Sequence, residues 1–420
     1  MPTIATIGAA YSANKGAASM MQSLLDNLPG KVPGVKVVAI STHPTADKRA
    51  YAAAGIDIEV VSQTPKDMIT KQIPLAFLAG LLRVLRLPWR GLLRAPALRT
   101  IADADLVADL SGISFVDGRR PVVLVYNALV VWVPMALGTK VVKCSQAMGP
   151  FETPVNKALA KLTLPRLARV CPRGDVTEGF VRGLHVMGRG LKNVTAAGDM
   201  AFTMRVPDSV RESIAAKLAA AGPGPYLTIS PSQVVATFLE GGEVDYPRVT
   251  AEFIDLVGER TGLRVVLIAH SAEPDKGVTH MNDLPICRDI AKLVKRPENL
   301  IFFDEDLLPT ELRAIISQSQ ILVASRFHAM ISALTERVPP VVIGWSHKYG
   351  EVLAPFGIQE AALDYSDLSS AAKIVGRVQD VLAAREDYVA RIDANLPAAE
   401  AHSMVNFDVL AQELAQRESA

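Results

Sequence analysis

Short apolar runs rich in Val, Ile and Leu recur along the chain, separated by longer segments whose apolar residues fall at three- and four-residue spacing. The first pattern predicts buried strands and the second amphipathic helices, and their alternation predicts parallel sheets covered by helices. In the first half, Thr3–Gly8, Val35–Ile40, Ile56–Val61, Leu106–Leu110 and Lys140–Ser145 read as strands, with a helix over Ala17–Leu28. A second series follows Asp208, with strands at Tyr226–Ser230, Arg264–Ala269, Leu300–Phe303, Ile321–Ala324 and Pro340–Gly344. Helical patterns separate them at Pro247–Arg260, Asp283–Lys295, Pro309–Gln318 and Ala329–Glu336. Between the series lie a helical stretch at Ser209–Ala221 and a G-P-G-P turn at Gly222–Pro225; Ala-rich helices close the chain. The reading is α/β: two Rossmann-like domains, residues 1–207 and 208–385, facing across a cleft, with C-terminal helices over 386–420. Ligands of open α/β sheets bind beyond the carboxyl ends of the strands, which makes that cleft the expected site.

Composition narrows the function classes. Forty-four basic and 43 acidic residues leave a net charge of +1, so nothing global favours nucleic acid, and an anion must be held by a local cluster. Cys144, Cys171 and Cys287 lie far apart without metal-ligand spacing and read as buried small hydrophobes. The opening M-P-T-I-A-T-I-G reads as a strand rather than a signal peptide, so reduced cytosol is the expected compartment. Pro121–Thr139 holds 19 uncharged residues, close to a membrane span, yet Pro134, Asn127 and Tyr126 argue for a buried helix. From Ile69 to Ala102 there are Lys71, Arg83, Arg86, Arg90, Arg94 and Arg99 but no acid. Such a stretch is either a solvated basic helix face or a peripheral contact with an anionic membrane at its inner face.

Several post-strand loops carry candidate chemistry. The loop G-A-A-Y-S-A-N-K-G, with Gly8, Asn14, Lys15 and Gly16, joins a strand to a helix, where backbone N–H groups and the helix dipole favour an anion. It is neither a G-x-G-x-x-G nor a Walker A loop. The strongest signal is L-V-A-S-R-F-H-A-M-I-S-A-L, Leu322–Leu334, which places Arg326 and His328 where a buried strand gives way to a helix. Arginine offers a planar donor fork for carboxylate or phosphate, and histidine a proton near neutral pH. V-P-P-V-V-I-G-W-S-H-K-Y-G then brings Trp345, His347, Lys348 and Tyr349 to the next strand end. Such a cationic cluster suits a small, multiply charged anion. In the first half, Gln146 of C-S-Q-A-M-G-P, Arg173 and Asp175 of C-P-R-G-D-V-T, and Asp199 of A-A-G-D-M-A-F follow other strands.

Taken in order, G…N-K-G, S-Q-A-M-G-P, the Arg173 loop, G-D-M-A-F, S-R-F-H-A and I-G-W-S-H-K-Y resemble the polysaccharide pyruvyl transferase family over residues 7 to 357. The resemblance implies a two-Rossmann architecture like that of GT-B glycosyltransferases, with the acceptor on the N-terminal side and the donor on the C-terminal side. It implies transfer of the carboxyethylidene group of phosphoenolpyruvate onto two hydroxyls of a sugar, with release of phosphate. It places the catalytic role on His328 and donor binding on Arg326, with Arg173 matching a second donor arginine in a departed motif. Lys348 and His347 are the remaining expected donor contacts, and Asn14, Gly16, Gln146, Asp199 and Tyr349 the expected acceptor or cleft residues. Phosphoenolpyruvate is the substrate; no cofactor and no metal is expected. The alternatives are a nucleotide-sugar glycosyltransferase, for which only Glu336 could supply the usual ribose-binding glutamate, and a non-catalytic glycan-binding relative.

Overall fold

The computed structural model describes residues 1–273, 277–279, 282–344, 348–365, 368 and 370–418. By packing, Met1–Ser12, Met20–Met204 and Glu400–Ala420 form a first unit, and Ala13–Ser19 with Arg205–Ala399 a second.

The first unit carries strands β1 (Thr3–Ile7), β2 (Lys36–Ser41), β3 (Glu59–Ser62), β4 (Leu106–Asp109), β5 (Ile113–Val116), β6 (Val141–Gly149) and β7 (Arg169–Pro172). They form one sheet in the order β3-β2-β1-β4-β6-β5, with β7 also paired to β6, and every pairing is parallel. Parallel strands are buried on both faces, which is why they read as continuous apolar runs. The uncharged stretch forms a helix, Pro121–Leu137, that buries Leu124, Ala128, Val131 and Leu137 in this unit. Among the described residues no helix is long and apolar enough to cross a membrane.

The second unit carries β8 (Tyr226–Ser230), β9 (Arg264–Ile268), β10 (Leu300–Phe303), β11 (Ser319–Ala324), β12 (Pro340–Gly344) and β13 (Ala362–Asp364). Their order, β10-β9-β8-β11-β12-β13, is the Rossmann order of a doubly wound sheet. Val266, Ile268, Leu322 and Ala324 pack with Ala329 and Ala333 of the Phe327–Thr335 helix and with Ile214 and Leu218 of the Asp208–Ala221 helix. In each sheet the order reverses at one point, between β1 and β4 and between β8 and β11, and crevices open beyond the carboxyl ends there.

Two features depart from the pattern-based reading. The expected C-terminal helices are present, Ala371–Ala383 and the 34-residue Arg385–Glu418, but the last is not set apart: its residues to Ala399 pack in the second unit and the rest in the first. Within the first unit Asn406 holds it: its Oδ1 accepts from the Ser145 N–H at 2.8 Å, and its Nδ2 donates to the Gly198 carbonyl at 3.0 Å. The second departure is β6, which runs on to Gly149 rather than stopping at Ser145. Gln146 is therefore interior to a strand rather than on a loop.

Candidate functional site

In the second unit the reversal point is built from β8 and β11, whose last residues Ser230 and Ala324 lie opposite each other. The chain turns at Ser325, whose N–H donates to the Ser230 carbonyl at 3.0 Å, and enters the Phe327–Thr335 helix. Tyr349 fixes that turn by donating its buried hydroxyl to the Ser325 carbonyl at 2.9 Å. Arg326 then points its Nε and Nη2 at the carboxylate of Asp283, at 2.7 and 2.5 Å. Asp283 is fully buried and also accepts from the Gln233 N–H at 2.8 Å. Burial pushes its carboxyl up from the ordinary value against the pull of the guanidinium. Arg326 is held above its own ordinary value, burial notwithstanding, by that carboxylate. The guanidinium is thus charged, fixed in plane by a bidentate partner, and 15% exposed.

His328, on the first turn of the same helix, is half-buried and lies against Gly16. A Cβ at position 16 would stand 2.2 Å from His328 Nδ1, so the close approach requires glycine there. Asn14 accepts from the N–H groups of Gly16 and Ala17 at 2.9 and 3.2 Å, capping the Lys15–Lys31 helix. Those donors, expected to hold an anion, are thereby engaged by the chain itself. The buried Lys15 ammonium instead pairs with Asp306 at 2.5 Å.

His270, just past the end of β9, is a site residue that sequence reasoning passed over. It is buried, and its pKa is pushed down to about 3 by burial first, then by the positive charges of His328, Arg326 and Lys15. It is neutral at any physiological pH. Lys15, His270, Arg326 and His328 thus collect at one set of strand ends with Asp283 and Asp306. The signal for His270 was the one that revealed Arg326, a polar residue at the close of an apolar run. The two aspartates have no local signature. Trp345 and His347 lie outside the described residues, as does the side chain of Lys348.

In the first unit the reversal point has a different character. Lys143 and Asp109, both buried, form an ion pair. Gln146 completes it: its Oε1 accepts from Lys143 Nζ at 3.1 Å and from Ser114 Oγ at 2.7 Å, and its Nε2 donates to the Asp109 carbonyl at 3.0 Å. Burial works against the Asp109 carboxylate, yet Lys143 and the hydrogen bonds from Ser111 and Gln146 hold its pKa below the ordinary value. Gln146 is thus tied into the interior. Beside this group opens a cavity of about 220 Å³ lined by Gly8, Thr42, Gln63, Ser111, Tyr126 and Asn127, among others. The Asn127 Nδ2 is buried there without a hydrogen-bond partner. Gly8, at φ +79°, permits the close approach of Ser111: a Cβ would meet its Oγ at 2.2 Å. Elsewhere in this unit Arg173, also buried, pairs with Asp199 at 2.7 Å, and the other Asp199 oxygen accepts from the Ala201 N–H at 2.9 Å. Asp175 opens the helix after β7. Among the described residues no group of three or more His, Cys, Asp or Glu is placed to hold a metal ion.

Two Rossmann-like units, each with polar side chains gathered at its reversal point, define a protein of the GT-B class. Solved structures agree with that fold. UDP-GlcNAc 2-epimerase from Neisseria meningitidis superposes with a TM-score of 0.61 at 11% identity, covering 99% of this chain and all of its own. Anabaena HepE, solved with UDP and glucose, gives 0.52 at 12% identity over the whole of both chains. The α,α-trehalose 6-phosphate synthase of Burkholderia multivorans gives 0.54 at 14%, covering 100% of this chain and 99% of its own. No curated protein matches the sequence. The profile of the polysaccharide pyruvyl transferases matches residues 14–347. The chain belongs to that family, which supports a transferase that moves pyruvyl groups onto polysaccharide.

Proposed function

We propose that this enzyme takes phosphoenolpyruvate as donor and closes its three-carbon unit as a cyclic ketal over two hydroxyls of a sugar. The observation that carries the reading is the polar group at the ends of β9 and β11, where the Arg326 guanidinium is charged, held in plane by Asp283 and partly accessible, with His328 on the same helix start. A planar donor fork suits the carboxylate or the phosphate of a small anionic donor.

His328 delivers a proton to the methylene carbon, which becomes the ketal methyl group, and a positive charge develops at the neighbouring carbon. One sugar hydroxyl attacks that carbon, the carbon–phosphate oxygen bond breaks, and the second hydroxyl closes the ring. Of the two hydroxyl protons, one replaces the proton His328 gave and the other leaves with phosphate. General acid help of this kind contributes roughly 10²–10⁴-fold, and fixed charge at the leaving phosphate adds to it. His270, neutral and buried, adds no positive charge beside His328. The cavity in the first unit is a polar pocket of its own kind: Thr42, Gln63, Tyr126 and Asn127 offer uncharged donors and acceptors suited to hydroxyl groups. Arg173, the expected second donor arginine, is the ion-pair partner of Asp199 elsewhere in that unit.

The nucleotide-sugar alternative has less to stand on. Its ribose-binding glutamate would be Glu336, which is bound at both oxygens by Arg211, at 2.8 and 2.9 Å. The test is incubation with phosphoenolpyruvate and a panel of glycans. Release of phosphate together with a carboxyethylidene mass gain on one glycan is the expected result. Consumption of a nucleotide sugar instead would overturn the proposal.

A further inference from the structure

The Ile73–Val84 helix carries an apolar stripe on its solvent side. Its fully buried positions are small, Ala76 and Ala79, and Gly80 lies so close to the Pro121–Leu137 helix that a Cβ would meet the Ala136 carbonyl oxygen at 2.8 Å. Ile73 and Leu75 pack partly buried on the core of the first unit, but four other large apolar residues face outward. Phe77, Leu78, Leu81 and Val84 recur at three- and four-residue spacing and are 43, 45, 56 and 74% exposed, and Leu85 and Leu87 continue the patch past the helix end. Scattered exposed leucines need no explanation, but an apolar stripe on the solvent side of a helix marks an interaction surface.

The charges around it say which kind. Arg83, Arg86, Arg94 and Arg99 are all exposed, and no acid occurs from Ile69 to Ala102. Lys71 and Arg90 are paired with Asp67 and Asp103, each at 2.9 Å, whereas Arg86, Arg94 and Arg99 have no ion pair among the described residues. A two-fold contact with a second copy of the chain would set these arginines against one another. An anionic bilayer meets both features, because apolar side chains enter the headgroup boundary while arginine heads stay at the phosphates.

We propose that this face, Phe77 to Arg94, seats the protein on an anionic lipid surface. The inference goes beyond the transfer reaction and stands without it. The test is flotation of the full chain with phosphatidylcholine vesicles and with vesicles also containing phosphatidylglycerol, at low and high salt. The expected result is at least tenfold more protein floating with the anionic vesicles, lost at high salt. The L81E/V84E pair should abolish it and R86E/R94E should lower it to the neutral-vesicle level, each with an unchanged melting temperature. Should the glutamate pair not fold, the arginine pair and the vesicle comparison decide. Equal flotation with both vesicles, flotation with neither, or a wild-type dimer that R86E/R94E leaves unable to associate would each overturn the proposal.

Discussion

Each unit gathers a cation and an aspartate near its reversal point, and the two units use the pair differently. In the first unit Lys143 and Asp109 are each 1% exposed and are enclosed by Ser111, Ser114 and Gln146. In the second, Asp283 is fully buried but Arg326 keeps 15% of its side chain accessible, with His328 half-buried two residues on. A closed pair fixes structure; a pair whose cation keeps an accessible edge fixes a donor for something else. The polar cavity beside the first pair is lined by neutral groups apart from Lys143 itself, while the second pair sits among further charged and titratable ones.

Substitutions can break this contrast from either side. The largest effect on folding belongs to the closed pair. Lys143→Met leaves Asp109 charged and alone in the interior, and urea unfolding is expected to show a loss of about 3–5 kcal/mol. His328→Gln should do the reverse: turnover falls by roughly 10²–10⁴ while the unfolding midpoint and donor binding stay near wild type. A variant that turned over normally would remove His328 from the chemistry.

Acid should expose the second unit through His270. Its folded pKa of about 3 lies below the ordinary 6.5, so the unfolded state binds the proton first as pH falls. The stability from its neutral form is whole above 6.5 and lost progressively toward 3, a fall of about 2 kcal/mol between pH 7 and 5. His270→Asn should flatten that slope, and an unchanged slope would contradict the account. The smallest effect is that of Tyr349→Phe, which removes the hydroxyl holding the Ser325 carbonyl and should cost about 1 kcal/mol. Its further consequence, a looser Arg326 turn, would register as weaker donor binding.

How much of this the sequence discloses depends on how local each feature is. Alternating apolar runs sufficed for the order of strands and helices. They did not disclose β5, a four-residue element with Phe115 at φ +50°, or β13, a three-residue strand whose pattern is too brief to separate from loop. Arg326 and His328 were legible because a polar pair at the junction of strand and helix is a local event. Asp283 and Asp306 were not, since an acid reveals its partner only when the chain returns, 43 residues apart for Asp283 and Arg326. Gln146 and Tyr349 teach the opposite lesson. Both looked like site residues by following a strand, yet one lies inside an extended strand and the other turns back to hold a carbonyl.

The central claim is that Arg326 and its neighbours at the strand ends of the second unit receive phosphoenolpyruvate. Thermal unfolding with that compound, set beside a panel of nucleotide sugars, tests it most directly. At 100 times the dissociation constant a ligand stabilises by about 2.7 kcal/mol, so a clear rise in melting temperature with phosphoenolpyruvate, absent in Arg326→Ala, is the predicted result. A rise with a nucleotide sugar and none with phosphoenolpyruvate would contradict it.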